Sequence, residues 1–292
     1  MPRLGSSSEI KEGFLLMNRQ KILPQILLRS WPFPRGAGRI IDHFFSRLTF
    51  ENEVETVRTT DGFAIKVFPN DLIGRHIYLT GEFDRSTVEV LVKLSKPDDV
   101  LLDIGANIGY VSGCFLQNVP RSKVIAVEPQ PLIVDLLESN LKQFGDKRYK
   151  IFPVGISDAD SSGWLEICDF NRGASKVVKD KNKDTVEIQL WSAKRLFASL
   201  QGEKIDLVKI DVEGHEETVL KASQEDLNRL RPRAIFFEDH AQSAAPDGPI
   251  GRIYRSIGYQ VFGVKKRLTR LDFISIHAAE DCIYNDYLAV PL

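Results

Sequence analysis

Two short stretches of the sequence carry residue types that could do chemistry, and each begins in an apolar segment. Residues 103–109 read DIGANIG, which places an acid and two glycines at the end of the apolar run 100–104. Residues 209–216 read KIDVEGHE and concentrate three kinds of ionisable side chain. A glycine loop between a strand and a helix is typical of ligand binding, because the backbone can approach a ligand there and the helix N-terminus favours an anionic group. The second stretch offers candidate proton acceptors.

The spacing within residues 103–109 distinguishes between nucleotide ligands. A dinucleotide loop reads GxGxxG, whereas this loop has Gly105, Asn107 and Gly109, with Asp103 two residues ahead. A carboxylate at that point would repel a pyrophosphate and would suit the positive amino group of S-adenosylmethionine. Asparagine adopts left-handed backbone conformations more readily than most residues, so Asn107 can replace a glycine. The loop favours S-adenosylmethionine, with a tight turn that binds nothing as the alternative.

Further polar residues follow the next two apolar segments. Glu128 closes residues 124–127, about 25 residues after Asp103, where an acid can bond both ribose hydroxyls. Asp158, after the third segment, could accept a hydrogen bond from the adenine amine, or could only form a turn. The residues predicted to contact the cofactor are Asp103, Gly105, Ala106, Asn107, Gly109, Tyr110, Glu128, Pro129, Ser157, Asp158 and Asp211.

Methyl transfer to a hydroxyl requires a positioned acceptor and a group that helps to remove its proton. Asp211 and His215 are the candidate bases, although His215 could simply begin a helix. A divalent metal could lie between Asp211 and either Glu238 or Asp239, but the sequence shows no tight ligand spacing, so no metal is expected. The predicted catalytic residues are Asp211, Glu213, His215 and Glu238.

The elements that must position these residues alternate between strands and helices from residue 99 onwards. Strands are predicted at residues 100–104, 124–127, 150–154, 205–210 and 234–237, and at 259–264 and 284–290 as an antiparallel pair. Helices are predicted at residues 108–116, 131–144 and 217–222, with a separate short helix after Ser223. An insertion at residues 158–200 is predicted to hold strands near 163–168 and 185–190 and a helix at 191–200. This alternation predicts a parallel sheet covered on both faces.

The first part of the chain has a different pattern. Residues 1–12 are predicted to be disordered, and helices are expected at residues 13–30, interrupted at Pro24, and at 38–48. Asp61-Gly62 between two alternating apolar runs predicts a β-hairpin. We therefore predict an N-terminal helical arm and β-hairpin extension at residues 1–80, followed by an S-adenosylmethionine-binding domain at residues 81–292.

Composition restricts the classes of function and partner. The 292 residues carry a formal net charge of −1, without the basic footprint of a nucleic-acid-binding protein. The first fifty residues hold eight Lys or Arg against three Asp or Glu, so this basic arm could contact an anionic membrane surface or could only be solvated. Residues 265–267 (KKR) with Arg270 could hold an anionic acceptor, or form a solvated loop. Three dispersed cysteines and the lack of a spanning apolar run favour a cytoplasmic location.

The two motifs together resemble the FkbM family of S-adenosylmethionine-dependent methyltransferases. The resemblance covers roughly residues 81–291 and includes the segment YNDYLA at 284–289. It implies a Rossmann-like class I methyltransferase fold, with a mostly parallel seven-stranded sheet, helices on both faces and an antiparallel last strand. It also implies O-methylation of a sugar, glycolipid or other secondary metabolite, so the expected partner is a small-molecule or glycan acceptor.

The resemblance also assigns roles to residues. It implies that five residues of the loop and second strand hold the cofactor and that three acids lie at the active site: Asp103, Gly105, Asn107, Gly109 and Glu128, then Asp211, Glu213 and Glu238. His215 stands at a position that varies within the family. The alternatives are a nucleotide-dependent oxidoreductase, disfavoured by Asp103, and a cofactor-binding protein without turnover. A nucleic-acid methyltransferase is disfavoured because Asp211 is not followed by a Pro-Pro-aromatic element.

Overall fold

The computed structural model describes residues 24–33, 35–51, 53–168, 171–178, 180–200 and 202–292. Three sheets are formed within these residues. Their strands are β1 (Glu55–Arg58), β2 (Ala64–Val67), β3 (Val100–Ile104), β4 (Lys123–Val127), β5 (Tyr149–Phe152), β6 (Gly155–Ser157), β7 (Ser161–Glu166), β8 (Lys176–Val178), β9 (Thr185–Ser192), β10 (Leu207–Ile210), β11 (Ala234–Glu238), β12 (Tyr259–Lys266), β13 (Leu271–Ser275) and β14 (Asp286–Pro291).

Helices connect these strands and cover the largest sheet. The α-helices of the same residues are α1 (Ala37–Ile40), α2 (Leu72–Thr80), α3 (Arg85–Leu94), α4 (Tyr110–Asn118), α5 (Pro131–Leu141), α6 (Ala193–Ser199), α7 (Glu216–Leu230) and α8 (Pro249–Ser256). Residues 24–29 are also helical, a π-helical turn (Ile41–Phe45) follows α1, and 3-10 turns lie at Lys142–Phe144, Arg172–Ala174 and Ala279–Asp281.

The central sheet has the strand order β13-β12-β14-β11-β10-β3-β4-β5. The five strands from β11 to β5 are parallel, and β14 is antiparallel to both of its neighbours. Successive residues point to opposite faces: Leu102 packs in the core against α6, α7 and α8, and Leu101 in the core against α3, α4 and α5. Both faces are covered, which explains why β3 and β10 are buried along their whole length.

The parallel strands, the helices on both faces and the antiparallel last strand are thus confirmed, but three details of the prediction are wrong. The sheet has eight strands, because β13 extends the edge beyond β12. The residues of β13 are mostly half-buried or exposed, so this strand has no continuous apolar run that would predict it from the sequence. Residues 216–230 form one helix, since Ser223 is buried within it and does not cap a second one. The insertion at residues 158–200 holds three strands, β7, β8 and β9, where two were expected. They join β6, which precedes the insertion, in the sheet β6-β9-β7-β8.

The predicted β-hairpin is confirmed and packs on the helices that follow it. Strands β1 and β2 pair antiparallel on either side of Asp61-Gly62. The buried Asp61 carboxylate accepts hydrogen bonds from Arg85 Nη1 at 2.5 Å and from Asn118 Nδ2 at 2.7 Å. Val57 and Ile65 join a core cluster that also contains residues of α4 and α5. The hairpin is therefore fixed against helices α3, α4 and α5, which cover one face of the central sheet.

The rest of the N-terminal prediction is only partly described. Residues 37–45 are helical, close to the expected 38–48, whereas residues 1–12 and the start of the expected 13–30 helix lie outside the described residues. The division at residue 80 and the membrane contact of the basic arm stay predictions. None of the helices in the described part of the chain combines the length and apolar character needed to cross a bilayer.

Candidate active site

A cavity of about 410 Å³ lies at the carboxyl ends of the parallel strands, which is where open α/β sheets bind ligands. Residues that follow β3, β4, β5, β10 and β11 form its floor and walls. Helix α2 and the 3-10 turn Arg172–Ala174 contribute the opposite side. The volume falls in the range of small-molecule sites, about 300–1,000 Å³. Ten of the fourteen predicted site residues line this cavity. The sheet therefore brings motifs that are distant in the sequence together at one edge.

The loop at residues 103–109 has the left-handed backbone that its sequence predicts. The φ angles of Gly105, Asn107 and Gly109 are 81°, 49° and 83°. A Cβ at Gly105 would lie 1.8 Å from the Asp211 carbonyl oxygen, and one at Gly109 would lie 2.6 Å from Leu137 Cδ1. Glycine is therefore required at both positions by contacts within the protein as well as by backbone conformation. Gly105 lines the cavity, but Gly109 does not.

Glu128 joins this loop to the second strand. One carboxylate oxygen accepts the Asn107 backbone N–H and the other accepts the Gln130 backbone N–H, both at 3.0 Å. The side chain is almost completely buried, yet it lines the cavity. Burial raises the pKa of Glu128 to about 7, against the opposing effect of the two backbone donors. The carboxylate thus holds the loop in place and still presents acceptor lone pairs to the cavity.

Four residues predicted to contact the cofactor do not line the cavity: Asp103, Gly109, Ser157 and Asp158. The Asp103 side chain is completely buried, and its Oδ2 accepts a hydrogen bond from Ser112 Oγ at 2.6 Å. The expected contact between Asp103 and an amino group is therefore contrary to this geometry. Ser157 Oγ donates to Asp158 Oδ1 at 3.1 Å, and Gly155 and Ile156 occupy the wall in their place.

Lys209 connects the glycine loop to the second motif. Its Nζ donates to the Gly105 carbonyl oxygen at 2.9 Å and lies 3.3 Å from Asp103 Oδ1 and 3.4 Å from Asp211 Oδ2. Burial lowers the pKa of Lys209, but the two carboxylates outweigh this effect and raise the pKa above its ordinary value. Lys209 is thus a permanent buried cation that orients Asp211 at the cavity wall.

Three carboxyl groups cluster beside Lys209. One oxygen each of Asp211, Glu213 and Glu238 lies within 4.8 Å of the others. Burial, reinforced by the charge of Asp211, raises the pKa of Glu238 to about 9, so Glu238 carries a proton at neutral pH. Such a set of oxygens could hold a divalent cation such as Mg²⁺. Asp239 cannot join them, because its carboxylate accepts the backbone N–H groups of Ala241 and Ala244.

The comparison with known families decides where this chain belongs. Residues 103–261, more than half of the chain, match the family model of the methyltransferase FkbM domain. The chain belongs to this family. The matched region contains the glycine loop, Glu128 and the whole carboxyl cluster, so the motifs that suggested the resemblance lie within the FkbM domain.

Curated relatives of this FkbM domain include proteins named as methyltransferases. The hexuronic acid methyltransferase AglP of Haloferax volcanii is 30% identical over 163 residues, which are 56% of this chain and 64% of AglP. The 2-O-methyltransferase NoeI of Sinorhizobium fredii is 29% identical over 162 residues, which are 49% of this chain and 65% of NoeI. The chain spans less than two thirds of the length of these two relatives.

Solved structures of similar fold include further methyltransferases. The crystal structure of methyltransferase FkbM from Methylobacillus flagellatus aligns at 16% identity with a TM-score of 0.44, covering 74% of this chain and 52% of that one. A precorrin-6y C5,15-methyltransferase from Geobacter metallireducens aligns at 17% identity with a TM-score of 0.40, covering 71% of this chain and 88% of that one.

His215 lines the cavity of the FkbM domain. Burial lowers the pKa of the imidazole, whereas the charges of Glu216 and Asp158 raise it. Its buried Nε2 has no hydrogen-bond partner in the described part of the chain.

Several cavity residues were not predicted from the sequence. Asp84 and Asp286 both pair with Lys266, with 3.6 Å between Asp84 Oδ1 and Lys266 Nζ. Burial raises the pKa of Asp84 to about 6. His76 and Arg172 also line the cavity.

Lys266 belongs to the basic run 265–267, which was predicted to hold an anionic acceptor or to form a solvated loop. Arg267 and Arg270 both pair with Asp272, which makes them less available to bind an anion.

Proposed function

We propose that this chain is an S-adenosylmethionine-dependent O-methyltransferase that acts on a hydroxyl of a sugar or related secondary metabolite. The observation that carries the proposal is the charge of the cavity. Three cations, Arg172, Lys209 and Lys266, share the walls with six carboxyl groups, and five of these remain to oppose the cations once the protonated Glu238 is set aside: Asp84, Glu128, Asp211, Glu213 and Asp286. Such walls suit a ligand with a positive sulfonium and a positive ammonium, and they would repel a pyrophosphate. The donor set therefore fits S-adenosylmethionine and disfavours the oxidoreductase alternative.

The roles of the residues follow from their positions. Glu128 would accept hydrogen bonds from the ribose hydroxyls, and the backbone between Gly105 and Asn107 would lie under the amino-acid end. Asp211, oriented by Lys209, would present a carboxylate to the positive part of the ligand. When bound, S-adenosylmethionine supplies an electrophilic methyl group, and positioning of the acceptor against it accounts for much of the expected rate.

The acceptor class is supported by the relatives and by the cavity. The names of AglP and NoeI refer to a hexuronic acid and to a 2-O position, which are features of sugars. The wall opposite the cofactor loop carries His76, Asp84, Lys266 and Asp286, which offer both donors and acceptors to a polyhydroxylated molecule.

The decisive experiment measures ligand binding before transfer. Isothermal titration of the purified chain should show binding of S-adenosylmethionine and S-adenosylhomocysteine but no binding of NAD⁺. Radiolabelled methyl transfer to p-nitrophenyl β-D-glucuronide and to p-nitrophenyl β-D-glucoside then tests the acceptor class. Binding of NAD⁺ alone would overturn the proposal, and cofactor binding without transfer to any hydroxyl would favour a cofactor-binding protein without turnover.

A further inference from the structure

His76 lies at the junction of two cavities. Besides the cofactor cavity, a second cavity of about 430 Å³ lies between the N-terminal segment and the end of β12, and its lining includes Gly38, Asp42 and Arg267. The two cavities share four lining residues: His76, Phe83, Asp84 and Lys266. An acceptor that reaches the cofactor from the second cavity would therefore pass the imidazole of His76.

The His76 ring is oriented by a carboxylate from another element. Its Nε2 lies 2.8 Å from Asp42 Oδ1, and the side chain of His76 is 12% exposed, against 60% for Asp42. Asp42 lies in the π-helical turn Ile41–Phe45, and such turns occur frequently at functional sites. Because a carboxylate only accepts hydrogen bonds, Nε2 must carry the hydrogen. The neutral ring then has its free lone pair on Nδ1.

The space beside His76 Nδ1 is kept open by a glycine. A Cβ at Gly38 would lie 3.4 Å from Nδ1 and 3.2 Å from Cε1 of His76, so any side chain there would crowd this edge of the ring. Among the described residues, the hydrogen bond of the His76 ring joins Nε2 to Asp42, and Nδ1 takes part in none. Because Gly38 and His76 both line the second cavity, the Nδ1 edge beside Gly38 lies at the wall of that cavity, where an acceptor hydroxyl could donate to the lone pair.

The other ionisable groups at the site are less suited to accept a proton. Glu238 already carries one at neutral pH, and Asp211 is paired with Lys209. Asp84 and Asp286 are both paired with Lys266. The buried Nε2 of His215 has no hydrogen-bond partner among the described residues, so no partner at that nitrogen fixes its tautomer. Among the described cavity residues, His76 combines a free lone pair with a partner that fixes its tautomer, the arrangement found in Asp–His pairs of hydrolases.

We propose that His76, oriented by Asp42, is the general base that removes the proton from the acceptor hydroxyl. This inference rests on the proposed function. The acceptor oxygen forms a bond to the methyl carbon as the bond from that carbon to sulfur breaks, and its electron pair stays on sulfur. The hydroxyl proton passes to His76 Nδ1, so the positive charge lost by the sulfonium appears on the imidazolium. Both members of this pair come from the segment before residue 81, outside the matched FkbM domain.

The first test needs no acceptor. Long-range ¹H–¹⁵N NMR spectra of the ¹⁵N-labelled chain with S-adenosylhomocysteine should show His76 as the Nε2–H tautomer with an unprotonated Nδ1. The Asp42→Asn variant should lose the preference for this tautomer. A His76 ring protonated on Nδ1 in its neutral form would overturn the proposal.

The second test separates a base from a structural residue. His76→Gln keeps an N–H donor for Asp42 but has no basic lone pair, so kcat for the methylated glycoside should fall by about 100-fold or more, with the Kd of S-adenosylmethionine unchanged. His43→Gln, an exposed histidine on the same turn as Asp42, is the matched control and should keep full kcat. Full kcat in His76→Gln would overturn the proposal. If neither glycoside is methylated although the cofactor binds, the sugar-acceptor part of the proposed function fails, and the NMR result alone decides the role of His76.

Discussion

Lys209 on β10 faces Asp103 on β3 across a parallel register in which the two residues are direct partners. Lys209 Nζ lies 3.3 Å from Asp103 Oδ1, and both side chains are buried. The same Nζ bonds the Gly105 carbonyl oxygen and pairs with Asp211. One buried cation therefore fixes the relative positions of the glycine loop and the carboxyl cluster, which lie at different places in the sequence.

We predict that Lys209→Met destabilises the chain strongly. The substitution leaves the buried Asp103 carboxylate without its cation, and loss of one partner of a buried pair costs about 3–5 kcal/mol. The matched control is Lys123→Met on β4, a strand of the same sheet, where the lysine pairs with Glu203 at 3.8 Å and both side chains are about half exposed. Its expected cost is about 0–1 kcal/mol. Urea unfolding measures both, and equal losses in the two variants would contradict the prediction.

Glu238 is expected to make stability depend on pH. Its pKa is raised from the ordinary 4.5 to about 9, so its contribution is fully present below pH 4.5 and is lost as pH rises towards 9. Glu238→Gln mimics the protonated form and should be more stable than the wild type at pH 8 by about 1–3 kcal/mol, the equivalent of one to two pKa units. Glu225→Gln, on the exposed face of α7, should change nothing. Thermal unfolding from pH 5 to pH 9 tests this, and parallel stability curves for Glu238→Gln and the wild type would refute it.

Cofactor affinity should fall as the solution becomes acidic, because protonation of Glu128 removes an acceptor for the ribose hydroxyls. The pKa of Glu128 is raised to about 7, so affinity for S-adenosylmethionine should decrease between pH 8 and pH 6. The α-amino group of the ligand titrates near this range as well. The readout is therefore the difference in Kd between the wild type and Glu128→Gln, which should be large at pH 8 and small at pH 6. Glu138→Gln, exposed on α5, serves as the control, and a pH-independent difference would argue against a ribose role.

The carboxyl cluster is predicted to work without a metal ion. The Lys209 ammonium lies 3.4 Å from Asp211 Oδ2 and would repel a divalent cation, and the proton on Glu238 already reduces the negative charge. Isothermal titration with Mg²⁺ and Mn²⁺ should show no binding, and EDTA should not change the Kd of S-adenosylmethionine. Binding of either ion that Asp211→Asn abolishes would show that the cluster is a metal site.

The central part of this fold could be predicted because its strands are continuous apolar runs. Residues 100–104 and 124–127 carry that signal, and the strand ends then place Gly105, Glu128 and Asp211 at one edge. The pleat also puts Asp103 on the same face as Leu101, towards α4, which explains why its carboxylate meets Ser112. The burial of Asp103 could not be predicted from residue types alone. An acid before a glycine loop can either bind a ligand or form hydrogen bonds within the protein.

The particular N-terminal residues that reach the site could not be predicted. Asp42 and His76 are separated by 34 residues and lie on two short helical segments, and no motif links them. They meet because Asp61 and the hairpin fix this segment against α3 and α4. That contact depends on the packing of the whole chain. Local spacing therefore predicted the side of the cavity that holds the glycine loop and missed the residues that come from the N-terminal segment.

The two glycines Gly105 and Gly145 separate the effect of backbone conformation from that of crowding. Both have a positive φ, of 81° and 88°, but a Cβ would lie 1.8 Å from the Asp211 carbonyl oxygen at Gly105 and would meet nothing within 4 Å at Gly145. Gly145 has φ 88° and ψ 139°, a backbone conformation that L-residues rarely adopt, so Gly145→Ala should cost only this backbone strain, about 1–3 kcal/mol. Gly105→Ala must in addition push β10 away from the loop, so it should lose several kcal/mol more and also disturb the Lys209 contact. Urea unfolding of both variants measures the difference, and similar losses would mean that the loop can move away from Asp211 without cost.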